Sequence, residues 1–153
     1  MFKTALLLAT FLPAFLSKSN GWNDKIGWTS DMEAFKSEII KTGKPGMLVI
    51  HKSWCGACKA LKPKFAESKE IEEAAEGFVL FNALDDDEPA GAEYKPDGGY
   101  IPRILFLDGK GNVVPELVNK GRDSYKYYYP SVKDVVKGMK NALEHIGDVK
   151  EEL

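Results

Sequence analysis

Only two cysteines, two histidines and no surplus of positive charge occur in these 153 residues. Each scarcity excludes something. Two cysteines cannot build the disulfide framework that staples small secreted domains. A formal net charge of −2, from 21 basic and 23 acidic side chains, leaves no basic footprint for nucleic acid. The two histidines, His51 and His145, stand far apart, so a zinc site built on the cysteines lacks obvious further ligands. No repeat or low-complexity linker divides the chain, whose length suits one domain with one core. The one long apolar run, Ala5 to Leu16, is about twelve residues, short of the ~20 that span a bilayer.

That run follows Lys3 and precedes the small residues Ser17 and Ser19, the pattern of an export signal cleaved before Asn20. Residues 1–19 are therefore expected to be a signal peptide. The remaining single domain, 20–153, has about 134 residues and a net charge near −4 once Lys3 and Lys18 are gone. The chain ends Lys150-Glu151-Glu152-Leu153, one residue from the Lys-Asp-Glu-Leu retrieval address, and Glu151 keeps the carboxylate. The two ends together predict residence in the endoplasmic reticulum lumen and a retrieval receptor that reads residues 150–153. No membrane or nucleic-acid partner is expected, and a monomer is the default.

Between the ends, apolar periodicity marks the elements. Ser30-Asp31-Met32-Glu33 reads as a capping box opening a helix with Met32, Phe35 and Ile39 on one face and Gly43 as its stop. Gly46 to Lys52 reads as a strand, and a helix opening at Cys55 must bend or end at Pro63. Ser68 recaps a short helix through Glu76, and Phe78 to Leu84 is a second strand. An acidic loop runs from Asp85 to Gly99. Arg103–Asp108 and Asn112–Val118 read as a hairpin around Gly109-Lys110-Gly111, with Pro115 suited to an edge strand. The last helix, from Ser131, aligns Val132, Val135, Val136, Met139, Leu143 and Ile146. This order predicts a mixed α/β sandwich around a central sheet.

Both cysteines fall in Trp54-Cys55-Gly56-Ala57-Cys58-Lys59, directly after the first strand. At this spacing two thiols can form and break a disulfide within one helical turn. Cys55 is expected at a helix N-terminus, where unpaired N–H groups and the macrodipole favour thiolate. Such sites lower a cysteine pKa from about 8.5 into the range ~3.5–7.5. Cys55 is thus the expected nucleophile, and Cys58 the shielded thiol that resolves the mixed disulfide. Two other readings stand beside this one: half of a zinc site, or an inert bridge, which at so short a loop would stabilise little. The exchange reading requires neither metal nor cofactor.

Three separated features, Trp54–Lys59 with its two cysteines, Pro63, and Ile101-Pro102, resemble the thioredoxin superfamily. Gly21-Trp22, Ile50–Lys59, Pro96–Arg103 and the C-terminal tetrapeptide are similar to small thioredoxin-like oxidoreductases of the endoplasmic reticulum related to the anterior-gradient proteins. The resemblance covers essentially the whole mature chain. It implies a thioredoxin-like α/β fold, a central mixed sheet flanked by helices. It also implies an enzyme forming, reducing or isomerising disulfides in secretory proteins, with glutathione as a further candidate partner. Pro102 would then follow a cis bond and face the dithiol, although sequence itself leaves the Ile101–Pro102 isomer open.

On this reading Trp54, Gly56, Ala57, Ile101 and Pro102 support the dithiol, and Trp54, Tyr100 and Pro102 meet the client. Trp54 packing against the sheet is the competing reading. Gly56 is expected to permit close backbone approach. Ala57 adds neither ring nor donor, which suggests a reduction potential of roughly −150 to −220 mV. Relatives commonly carry a buried acid six positions before the first cysteine; here that position is Val49. Glu67, His51 or water are candidate substitutes. His51 reads foremost as a half-buried strand residue, Arg103 as either a thiolate partner or a solvent-facing cation. Asp85-Asp86-Asp87-Glu88 reads as a solvated loop, without the spacing of an EF-hand calcium site. The tyrosines at 125 and 127–129 read as packing under the last helix or as a partner contact. The missing acid leaves room for a second function, a chaperone-like protein that holds clients at Pro102 with weak or incidental redox activity.

Overall fold

Gly46–His51 (β1) is buried along its whole length, because both faces of the sheet it centres are covered. It runs parallel to β2 (Val79–Leu84) on one side and antiparallel to β3 (Arg103–Leu107) on the other, giving a mixed sheet of order β2-β1-β3. The computed structural model describes residues 18–151, with side-chain surroundings through Gly147. Residues 1–17 of the expected signal peptide, and the side chains of the expected retrieval address at 150–153, lie outside that description.

Alternation along β1 sorts the core into two layers. Met47 and Val49 join Leu80, Ile104 and Phe106 under three helices: α2 (Gly56–Glu67), α3 (Lys69–Ala75) and α4 (Val132–Glu151). Leu48 and Ile50 join Phe81, Ala83, Leu105 and Leu107 under α1 (Met32–Thr42). The α/β class with a central mixed sheet flanked by helices is as expected. The segment before α1 contributes more than anticipated: Trp22, Ile26 and Trp28 are all buried in the first layer.

Local chemistry explains where the helices start. Asp31, one residue later than the expected Ser30, caps α1 by accepting from Ala34 N–H at 2.7 Å, and Gly43 closes it in the left-handed region at φ 69°. Ser68 caps α3, accepting from Ile71 N–H. Ser131 caps α4, accepting from Asp134 N–H. Pro63 lies inside α2 without ending it, and the helix runs on to Glu67.

The second strand of the expected hairpin is not formed. After Leu107 there is a Leu107–Val113 bridge, with Val114 N–H donating to Phe106 O and Asp108 N–H to Asn112 O. Pairing stops there because the chain turns, with Leu117 N–H donating to Val114 O at 3.2 Å, and the next outward-facing donor of β3, Ile104 N–H, goes to Tyr127 O instead.

One close approach is testable. A Cβ on Gly138 of α4 would stand 2.6 Å from Cε1 of Tyr129, a ring only 1% exposed. Alanine gains up to ~1 kcal/mol in a helix interior, but overpacking a fixed ring costs ~1–3 kcal/mol. Gly138→Ala should therefore lower stability by about 1–2 kcal/mol in urea unfolding, and a raised midpoint would mean that the ring gives way.

Candidate redox site

The chain leaves β1 at Lys52 and turns at once. Cys55 N–H donates to Lys52 O at 3.2 Å, which closes the turn. Cys55 then takes the N-cap of α2 in an extended conformation, φ −82° and ψ 116°. Its Sγ accepts from Cys58 N–H at 3.0 Å, and its carbonyl accepts from Lys59 N–H at 3.1 Å. Sulfur thus occupies the place that a serine or aspartate oxygen takes in ordinary caps. Negative charge on that atom would face the unpaired N–H groups and positive end of the helix.

Cys55 and Cys58 are joined as a disulfide, with Cα atoms 5.2 Å apart. Cys58 is 1% exposed and Cys55 5%, while Trp54 beside them is 73% exposed. Trp54 does not pack against the sheet. Gly56 and Ala57 are both exposed. The expected close approach at Gly56 is not present: an added Cβ would meet nothing within 4 Å.

The second motif arrives through the sheet. Ile50, last of the β1–β3 pairs, stands opposite Arg103, so Pro102 reaches the same end of the sheet from which the cysteine turn departs. The Ile101–Pro102 bond is cis. Pro102 is buried and Ile101 half-buried. Tyr100 is also half-buried, and its hydroxyl is already engaged, donating to Asp97 Oδ1 at 2.5 Å and accepting from Tyr127 N–H at 3.0 Å. Burial, reinforced by Asp97, holds the Tyr100 hydroxyl well above the usual tyrosine range. The Tyr100 ring meets exposed Tyr125 edge-on at 4.8 Å. Within the tyrosine run, Tyr127 and Tyr129 are core residues on opposite faces of the sheet, whereas Tyr125 is open to solvent.

Arg103 matches neither sequence expectation. Its side chain is fully buried, with Nε donating to Tyr94 O at 3.2 Å, Nη1 to Tyr100 O at 2.6 Å, and Nη2 paired with Glu88. No N–H fork of this guanidinium faces solvent. Nor is the acidic run simply a solvated loop. Glu88 Oε2 pairs with Lys52 Nζ at 2.7 Å, Lys52 Nζ also reaches Asp85 O at 2.8 Å, and Asp85 Oδ1 accepts from Ser53 N–H at 2.9 Å. Burial works to raise the Glu88 carboxyl, but Lys52 and Arg103 outweigh it and hold it below the usual range. The Ser53 N–H does the same for Asp85. Among the described residues no group of three or more His, Cys, Asp or Glu side chains is placed to hold a metal ion.

Val49 is fully buried among apolar side chains of the α2 layer, between Asn82 and Ile104 in the strand register. Neither protein candidate to replace an acid there is placed to act. Glu67 is exposed at the end of α2, more than two turns beyond Cys58, roughly 13 Å along the axis. His51, fully rather than half buried, has both ring nitrogens occupied: Nδ1 accepts from Trp22 Nε1–H at 3.3 Å, and Nε2 faces Asn82 Oδ1 at 3.1 Å. Asn82 completes a network that sequence reading missed, with Oδ1 also accepting from Asn20 and Nδ2 donating to Lys18 O and Ser19 O. The available signal was an asparagine inside an otherwise apolar strand. Lys18 and Ser19 fall on the signal-peptide side of the expected cleavage point, yet their carbonyls take part in this network.

Residues 27–109 match a protein family described as Thioredoxin-like. Anterior gradient protein 2-B of Xenopus laevis is 34% identical over 145 residues, covering 92% of this chain and 87% of the relative. Anterior gradient protein 2 homolog of Homo sapiens is 37% identical over 136 residues, 87% of this chain and 74% of the relative. Among solved structures, DsbH oxidoreductase superposes with a TM-score of 0.55 at 14% identity, covering 84% of this chain and 90% of that one, a likeness of fold alone.

The histidine network carries a pH signature. Burial pushes His51 from 6.5 down to about 4, so the folded protein holds it neutral, against the weaker pull of the Asn82 bond. Between those values the unfolded chain binds a proton that the folded chain refuses. Its contribution is therefore complete above pH 6.5 and lost as pH falls toward 4, up to about 3 kcal/mol. Urea unfolding of the parent and His51→Gln across this window should show a flatter pH slope in the variant. Parallel slopes would mean that the ring does not resist protonation.

Proposed function

We propose that this chain, which belongs to the thioredoxin superfamily as a relative of the anterior gradient proteins, exchanges disulfides with secretory proteins in the endoplasmic reticulum lumen. Family and cysteine pair support thiol–disulfide oxidoreductase activity in general. The observation that carries the specific reading is the asymmetry of the pair: Cys55 Sγ caps the helix beside exposed Trp54, while Cys58 is sealed one turn in. In the oxidised protein a client thiolate attacks Cys55 Sγ and the Cys55–Cys58 bond breaks. Cys58 leaves as a thiolate and takes up a proton. A second client thiolate then attacks the client sulfur of the mixed disulfide and releases the Cys55 thiolate. The client loses two electrons and the dithiol gains them; the reverse sequence reduces a client disulfide.

Glutathione at lumenal concentration is the small-molecule couple that would recharge either direction, and a retrieval receptor would read residues 150–153. Exposed Trp54, with half-buried Tyr100, supplies the apolar surface against which a client segment lies, while Pro102, buried in the disulfide-bonded chain, supplies none of it. Cys58→Ser should trap client mixed disulfides, and Cys55→Ala should abolish trapping and lower the refolding rate of a reduced client to background.

A second reading, client holding with incidental exchange, is favoured by one observation. Val49 sits in a dry apolar layer, and His51 and Glu67 are both placed elsewhere. Deprotonating Cys58, which resolution requires, then has no protein base assigned to it. If variants lacking either cysteine protect a client from aggregation as well as the parent does, the holding reading prevails. Val49→Glu should speed resolution of the mixed disulfide while costing about 1–3 kcal/mol of stability for the buried carboxyl. Stopped-flow release rates equal to those of the parent would count against the missing-base account.

A further inference from the structure

We propose that Glu88 is a positioning residue for disulfide exchange, its single carboxylate clamping the segment that carries the cysteines to the segment that carries Pro102. This rests on the exchange function proposed above. The two oxygens divide the work. Oε2 holds Lys52 at 2.7 Å, and Lys52 O in turn receives the Cys55 N–H. Oε1 pairs with Nη2 of Arg103, the residue directly after Pro102.

The sheet does not perform this task itself. Ile50–Arg103 is the last register pair between β1 and β3, and residues 52–55 and 100–102 lie beyond the end of that ladder. Their mutual spacing therefore depends on side chains that cross the seam. Glu88 is suited to the role because it is anchored from behind. Its loop leaves β2, which runs parallel to β1, and is stitched to the cysteine segment through Lys52 Nζ to Asp85 O and Ser53 N–H to Asp85 Oδ1. The Arg103 end is fully buried, whereas the side chains of Lys52 and Glu88 are 20% and 26% exposed. A charge-assisted bond to a buried, planar guanidinium has one geometry, unlike a solvated lysine pair.

Two consequences separate this role from simple structural support. A client peptide must touch both segments, so loosening the clamp should slow exchange with a peptide disulfide more than exchange with glutathione, which needs only the sulfur. The carboxylate also neutralises Lys52, the cation three residues before Cys55. Removing the carboxylate leaves that cation less opposed, with Asp85 still beside it, and should make Cys55 more acidic; removing Lys52 instead should make it less acidic.

The experiment measures two quantities in the full mature chain. One is the ratio of peptide to glutathione exchange rates; the other is the alkylation midpoint of Cys55 in a Cys58→Ser background. The variants are Glu88→Gln, Glu88→Asp, Lys52→Met and, as a distant control, Glu70→Gln. Glu88→Gln should lower the ratio about fivefold and shift the midpoint down by about 0.3–0.5 pH unit. Lys52→Met should lower the ratio similarly but shift the midpoint up. Glu88→Asp should recover part of the ratio, and Glu70→Gln should match the parent. Should Glu88→Gln fail to fold, Lys52→Met carries the test alone, since it leaves the buried Arg103–Glu88 pair intact. A parental ratio in Lys52→Met, or in a folded Glu88→Gln, overturns the proposal. A parent chain that exchanges with neither probe would overturn the exchange function itself, a result distinct from any failure of Glu88.

Discussion

The pairing of β1 on both sides is the constraint on which the site depends. Because β2 lies parallel to it, the loop after β2 emerges at the end where β1 finishes. Because β3 lies antiparallel, its first residue enters at that same end. Three chain segments distant in sequence, the cysteine turn, the acidic loop and the Pro102 turn, therefore meet at one edge without any of them having a strong local preference to do so. Shifting β1 by one residue would exchange Val49 and His51 with Leu48 and Ile50 across the sheet. His51 would then lose Asn82 and Trp22, and the polar network would lie in the wrong layer.

That network shows how the molecule accommodates polar groups in a dry interior. A neutral histidine has one donor and one acceptor, and both are used. An asparagine side chain offers two donors and an acceptor, and Asn82 uses all of them. The partners come from the segment before α1, which has no helix or strand to hold it. Trp22 adds edge-on contacts to Phe65 and His51, so the segment is held by core packing and by hydrogen bonds together. The result is a lid over the β1–β2 end made of residues that a strand-and-helix reading passes over.

The sequence disclosed the elements whose signal is local. The apolar stripe of α4, the unbroken apolar run of β1 and the cysteines at a strand-to-helix turn all depend on neighbours within a few positions, and all stand where expected. What stayed hidden depends on distant partners. Arg103 reads as an ordinary cation until Glu88, Tyr94 O and Tyr100 O surround it. Asp85 and Glu88 look like surface acids until Lys52 and Ser53 arrive from β1. The segment from Asn112 to Val118 has the composition of a strand, but a strand requires a free partner, and the next outward-facing donor of β3, Ile104 N–H, is taken by Tyr127 O.

Burial of the two sulfurs bears on how the chemistry is divided. On the reading proposed above, Cys55, next to exposed Trp54 and itself 5% exposed against 1% for Cys58, is the sulfur that a client attacks. Upon cleavage the charge left on the sealed sulfur would have little solvent about it and, with Val49 in place of an acid, no carboxylate in β1 to take up or return a proton. The charge on the capping sulfur, by contrast, meets the N–H of Cys58 and the end of α2. The two thiols are thus chemically unequal before any client arrives. Under the proposed exchange, Cys55 as the attacking thiol would draw its advantage from helix geometry that the backbone supplies, while Cys58 as the resolving thiol would depend for its proton transfer on water admitted during exchange or on the client complex. On the exchange function and the clamp proposed above, residue 49 of β1 would govern the lifetime of the mixed disulfide, and Glu88 would govern which disulfides reach it.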